Sequence, residues 1–204
     1  MKKLLLLLLL TIPAFTFAAK PATKPVAAAP QPIVPAAPVA FGALNVAAKS
    51  FVLRDYQSGQ TLVSQNPDLK VEPASLTKLM TAYLACKNIK EKRLSEDQAL
   101  PVSEKAWKAI GSRMFIDLKV PVTVSELLRG MIIQSGNDAS ITLAEAMGGS
   151  EEAFAELMNK EAARLGMKNS NFLNATGLPD PQHYSTAEDL SLLAIAIIRD
   201  FPEF

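Results

Sequence analysis

The 204-residue chain has one cysteine, Cys86, so it cannot close an internal disulfide. With one histidine, His183, and that lone thiol, it lacks the ligands of a standard zinc site, and no cofactor is expected. The single histidine also weakens any Ser-His-Asp reading. No Gly-x-Ser-x-Gly elbow is present, and His183 falls in a proline-rich loop, where a loop or surface role is expected. The formal net charge is only +1 and basic runs are missing, which argues against nucleic acid as a partner. Apolar residues make up 49% of the chain, a share that fits a folded domain rather than a disordered one.

The N-terminal region reads as export and spacing. Lys2 and Lys3 precede an apolar run over 4–10, followed by small or apolar residues. This is the pattern of a secretory signal peptide, with cleavage expected after Ala18 and Ala19 as the alternative. The run is short for a membrane span, and no cysteine stands at the cleavage point for lipid attachment. Residues 19–41 are rich in Pro and Ala and read as an extended tether. The expected organisation is therefore a signal peptide over 1–18, a tether over 19–41 and one domain over 42–204, in an exported, periplasmic protein.

Within the domain, residues 50–55 and 61–63 read as a hairpin about Ser58-Gly59. A buried helix then opens at Pro73. Its apolar stripe is Leu76, Leu79, Met80, Tyr83 and Leu84, at helical spacing. Residues 99–101 read as an extended link and 104–110 as a short helix around Trp107. The pattern Thr123-Val124-Ser125-Glu126 is a capping box opening a helix that buries Leu127, Leu128, Met131 and Ile132. The next helix runs from Asp138 to the Gly148-Gly149 stop. Ser150 caps 151–165, with Gly166 as the stop signal. Ser185-Thr186-Ala187-Glu188 reads as a second capping box before a last apolar helix over 189–199. Hairpin first and helices after suggests an α+β domain with a helical lobe.

Two clusters carry candidate chemistry. Ser75 and Lys78 are three residues apart at a helix start, a hydroxyl beside a possible base. Ser-x-x-Lys alone is a weak signal, arising about once in a couple of hundred residues at average composition. Ser135-Gly136-Asn137 breaks two apolar helices, and a hydroxyl and an amide on such a turn need partners. Helix caps would satisfy them; so would a site facing Ser75.

Together these segments resemble a known family. Pro73-Ala74-Ser75-Leu76-Thr77-Lys78-Leu79-Met80-Thr81 and Ile133-Gln134-Ser135-Gly136-Asn137-Asp138-Ala139 are similar to two signature motifs of the penicillin-binding serine acyltransferases. The subgroup resembled is the low-molecular-mass D-alanyl-D-alanine carboxypeptidases. Gly111-Ser112-Arg113-Met114-Phe115, Asn174-Ala175-Thr176-Gly177-Leu178-Pro179 and the segment from His183 to Leu190 extend the likeness. The resemblance implies a β-lactamase/transpeptidase-like α+β fold, an antiparallel sheet with a helical lobe. It implies Ser75 as nucleophile, Lys78 as its base, Ser135 as a proton relay, and Asn137 holding the substrate amide and steadying Lys78. The implied substrate is the peptidoglycan pentapeptide and the implied inhibitors are β-lactams. The family's third motif, Lys-Thr-Gly, does not occur before Phe204. The expectation is a truncated domain lacking its C-terminal strands, the second oxyanion donor, a second cation near Lys78 and a C-terminal helix for peripheral inner-membrane attachment. A non-catalytic binding remnant is the alternative. A β-lactamase is a weaker one, since 169–177 holds no carboxylate to activate a deacylating water.

Overall fold

The computed structural model describes residue 44 and residues 46–204. The signal peptide and the tether expected over 1–41 lie outside the described residues. The first elements are β1 (Phe51–Arg54) and β2 (Thr61–Gln65), paired antiparallel with Phe51 opposite Gln65 and a register shift between Leu53 and Arg54. A 3₁₀ turn over Ala74–Thr77 runs directly into α1 (Lys78–Lys90). Next come β3 (Ala99–Leu100), α2 (Glu104–Trp107), β4 (Val122–Thr123), α3 (Val124–Gln134), α4 (Asn137–Gly148), α5 (Glu151–Leu165) and α6 (Ala187–Asp200). The domain is α+β, as the element order implied.

The long helix α1 runs between two apolar clusters. On one side Met80, Tyr83 and Leu84 meet Phe154, Met158, Phe172, Leu193 and Phe201. On the other, Ala85 joins Leu94, Leu100, Val124, Leu127, Met131 and Leu143. Because α1 is wrapped on both faces, the turn at its N-terminus is held at a fixed height, and that turn carries Ser75. Midway along α1, Tyr83 donates to Asp200 Oδ2 at 2.8 Å and Arg164 donates to the Tyr83 oxygen at 2.7 Å, tying α5 and α6 to it. The hairpin is fastened to α6 by an ion pair between Arg54 and Glu188.

Local cap chemistry decides most boundaries. Thr123 and Glu126 form the reciprocal capping box expected for α3. Ser150 accepts from Ala153 N–H to open α5, and Gly166, at φ +83, closes it.

Several expectations need correction. The helix at Pro73 begins as a 3₁₀ turn, so the 3.6-residue stripe does not reach back to Leu76, which is 53% exposed. In α3, Leu127, Leu128 and Met131 are buried but Ile132 is 65% exposed. The last helix is capped by Thr186, whose hydroxyl accepts from Asp189 N–H. Ser185 instead meets Ser170 at 2.8 Å, and Glu188 turns to Arg54, so the second capping box is not formed. The helix around Trp107 stops at that residue. The extended link at 99–101 holds a strand, β3, paired with β4 in a second two-stranded sheet.

Candidate active site

The 3₁₀ turn gives the first element its geometry. With three residues per turn, positions i and i+3 eclipse, so Ser75 and Lys78 stand directly above one another. Lys78 Nζ lies 3.2 Å from Ser75 Oγ and donates to the Thr176 carbonyl at 2.8 Å. Ala74, just before the serine, is held at φ +46, a left-handed conformation that costs a non-glycine residue energy. Gly177 makes this possible on its opposite side. A Cβ there would come within 1.8 Å of the Ala74 oxygen.

Lys78 is only 6% exposed. Removing an ammonium from water favours the neutral amine, and burial alone brings its pKa down from 10.5 to about 8. Near neutral pH about a tenth of the molecules then hold a free amine, against about one in three thousand for an unperturbed lysine. Such an amine keeps an N–H for Thr176 and offers its lone pair to the Ser75 hydroxyl.

The second element comes from the break between α3 and α4. Ser135 ends α3 in the left-handed conformation, at φ +56, which swings its side chain out of the helix. Its hydroxyl donates to Ser75 Oγ at 3.0 Å. The three side chains therefore form a chain from amine to hydroxyl to hydroxyl. Asn137 opens α4 and is buried. Its Nδ2 donates to the Ile110 carbonyl at 2.7 Å and its backbone N–H to Ser112 O at 2.7 Å. Lys78 takes its partners from Ser75 and Thr176, so steadying of the amine comes from the Thr176 carbonyl, where the resemblance had implied Asn137.

Asp138 locks the wall beside this turn. Its carboxylate accepts from the N–H groups of Met114, Phe115 and Ile116 at 3.0, 2.8 and 3.2 Å, and from Ala139 N–H at 2.9 Å. The segment 110–116 is thereby pinned against Asn137, with Phe115 held at φ +63. Two other non-glycine residues at positive φ belong to the site itself, Ala74 before the nucleophile and Ser135 at the hinge.

The segment 174–177 entered the sequence reading as part of the family likeness, and its contact with Lys78 was missed. Asn174 Oδ1 accepts from Thr176 N–H, Thr176 Oγ1 and Gly177 N–H, and this knot aims the Thr176 carbonyl at Lys78. The Asn-x-Thr-Gly pattern was a visible turn signal, but its target lies 98 residues away in sequence. His183 lies in a loop, as expected, but it is buried, at 2% exposure, and not at the surface. Among the described residues no cluster of His, Cys, Asp and Glu could hold a metal ion.

Comparison with known proteins gives the family. The family model for D-alanyl-D-alanine carboxypeptidase matches residues 36–204. The chain belongs to that family. DacA of Haemophilus influenzae, a D-alanyl-D-alanine carboxypeptidase, is 42% identical over 162 residues, covering 78% of this chain and 41% of that protein. The chain therefore spans about two fifths of the length of that relative. The crystal structure of penicillin binding protein 5 from Haemophilus influenzae matches with a TM-score of 0.78 at 41% identity, over 80% of this chain and 48% of that one. Penicillin-Binding Protein D2 from Listeria monocytogenes, in its ampicillin-bound form, matches with a TM-score of 0.72 at 31% identity, over 79% of this chain and 66% of that one. The fold is that of the penicillin-binding proteins.

Proposed function

We propose that the chain carries the acylation machinery of a serine D-Ala-D-Ala carboxypeptidase, acting in the cell envelope on the peptidoglycan stem pentapeptide. The observation that carries this reading is the sheltered Lys78 amine, 3.2 Å from an exposed serine hydroxyl that a second serine also touches. Lys78 takes the Ser75 proton, and Ser75 Oγ attacks the carbonyl between the two terminal D-alanines. The Ser75 backbone N–H, at a helix N-terminus, faces the oxyanion that develops. Ser135 passes a proton to the nitrogen of the departing D-alanine. Asn137 holds the neighbouring substrate amide from the rigid α4 entrance. Water then cleaves the Ser75 ester, returning a stem peptide one residue shorter.

A β-lactam carries a strained amide that the same serine opens. The ampicillin-bound relative supports this chemistry for the fold. No described helix is long and apolar enough to cross a membrane. Export by the N-terminal signal and any peripheral attachment to the inner membrane belong to this proposal too.

The test is covalent labelling by a fluorescent penicillin, followed by release of D-alanine from a peptide ending in D-Ala-D-Ala. Ser75→Ala abolishes the label, and the wild-type labelling rate rises with pH through about 8 as Lys78 loses its proton. Undiminished label on the alanine variant would disprove the assignment. A penicilloyl adduct that decays within seconds would redirect it to a β-lactamase.

A further inference from the structure

The sole histidine is buried against the nucleophile turn, and nothing in the acyl-transfer chemistry above uses it. We propose that His183 is a positioning residue: its imidazole pins Thr77, and through Thr77 it fixes the register of Ser75 and Lys78. This rests on the acyl-transfer reading of Ser75.

Three observations carry it. The first is the tautomer. His183 Nδ1 accepts the Leu173 N–H at 3.1 Å, and a backbone amide can only donate, so the ring proton sits on Nε2. Nε2–H therefore donates to Thr77 Oγ1, 2.8 Å away. The second is where Thr77 lies. It is fully buried in the 3₁₀ turn, after Ser75 and immediately before Lys78. A shift of that residue moves both reacting groups. The third is the loop. Residues 171 and 184 pair as an antiparallel bridge, Asn171 N–H to Tyr184 O at 2.8 Å and Tyr184 N–H to Asn171 O at 3.0 Å. His183 thus joins the outgoing limb at Leu173, the returning limb and the turn below. The same loop supplies the Thr176 carbonyl to Lys78 and the Ala175 carbonyl to Thr81 Oγ1, at 2.8 and 2.9 Å. The imidazole fastens the turn to the loop that shelters the amine.

The ring is built to stay neutral. Phe172 packs edge-on to it, with centroids 5.8 Å apart. A second ring proton would set two N–H donors head to head at Leu173. Burial pushes the imidazole below its usual value, although Asp180 in the same loop and Glu72 ahead of the nucleophile turn pull the other way.

Two amide variants of the full chain separate the two bonds. His183→Gln extends an amide N–H to the place of Nε2 and keeps the donor to Thr77. His183→Asn puts its oxygen at the place of Nδ1, keeps Leu173 and drops Thr77. The acylation rate constant with fluorescent penicillin should stay within about threefold for Gln and fall about tenfold to a hundredfold for Asn, since displacing reacting groups by an ångström costs up to that much. Thr77→Val, which approaches the bond from the other side, should repeat the Asn result if the Asn variant does not fold. Equal rates in all forms, or loss in Gln with retention in Asn, would overturn the proposal.

Nuclear magnetic resonance gives a readout that needs no turnover. The wild-type imidazole should show the Nε2–H tautomer. The Lys78 side-chain signal should titrate near 8 in wild type and Gln and move towards 10.5 in Asn and Thr77→Val. An Nδ1–H tautomer, or a Lys78 titration indifferent to these changes, would overturn the pin. If wild type does not label but the titrations follow this pattern, the acyl-transfer reading fails and the pin stands.

Discussion

Replacing Lys78 by methionine keeps the buried stem and removes the amine, so it isolates the energetic cost of the proposed base. Burial lowers the lysine from 10.5 to about 8, a drop of about 2.5 pH units, which corresponds to roughly 3 kcal/mol. The sign is fixed by proton counting. Between about 8 and 10.5 the unfolded chain holds this proton and the folded chain does not, so stability rises with pH across that window. Below about 8 both states are protonated and the contribution is flat. The methionine variant has no such titration. Tyr83, raised to about 12, and Cys86, raised to about 11, titrate in both proteins and cancel in the comparison.

At pH 7 the variant sheds the buried ammonium but leaves the Thr176 carbonyl unpaired, which costs about 1–3 kcal/mol. The two proteins should then lie within about 2 kcal/mol of each other. By pH 10.5 wild type should have gained roughly 3 kcal/mol on the variant, or about 6–12 °C in melting temperature for a domain of this size. Urea unfolding followed by far-ultraviolet circular dichroism at several pH values reads the difference directly. A difference that stays flat or falls from pH 8 to 10.5 would refute a sheltered amine, and with it the main physical support for Lys78 as a base.

Two further substitutions probe the segments around the site. Gly177→Ala places a Cβ 1.8 Å from the Ala74 oxygen at a residue held at φ +85, so it should cost more than about 2 kcal/mol and weaken penicillin labelling in proportion; wild-type melting and labelling would contradict the packing described. Asp138→Ala removes the acceptor of the N–H groups of Met114, Phe115, Ile116 and Ala139, costing about 3 kcal/mol and opening 111–116 to limited proteolysis; an unchanged digestion pattern would contradict the proposed lock.

What could be read from the sequence was local. Thr123 with Glu126, Ser150 and Gly166 announce helix ends through side-chain and backbone chemistry within three residues, and each of them sits where that chemistry placed it. The hairpin followed the same logic about Ser58-Gly59. Ile132 failed for a different reason. Helical spacing fixes which residues share a face but not how wide the covered stripe is, and α3 buries Leu128 and Met131 while leaving Ile132 in water. Ser185 failed because two hydroxyls stand side by side and only tertiary contacts choose between them; Ser170 claims Ser185, which leaves Thr186 to cap.

The site divides along the same line. The Ser75–Lys78 spacing was legible, and the 3₁₀ turn makes that spacing more effective than an α-helix would, because it eclipses the two side chains. The approach of Ser135 is non-local, yet it needs only a hinge between two helices that pack on α1. A lowered pKa for Lys78 followed from its implied role as base, but what lowers it could not be read. An amine three residues from a serine is an ordinary surface lysine until something covers it, and the cover is the Thr176 carbonyl, aimed by Asn174 and brought in over 98 residues of chain. Nothing at positions 75–78 encodes that cover. A serine with a charged neighbour thus acquires a basic one only when the loop closes, so reactivity at Ser75 should appear with tertiary packing and not with formation of α1.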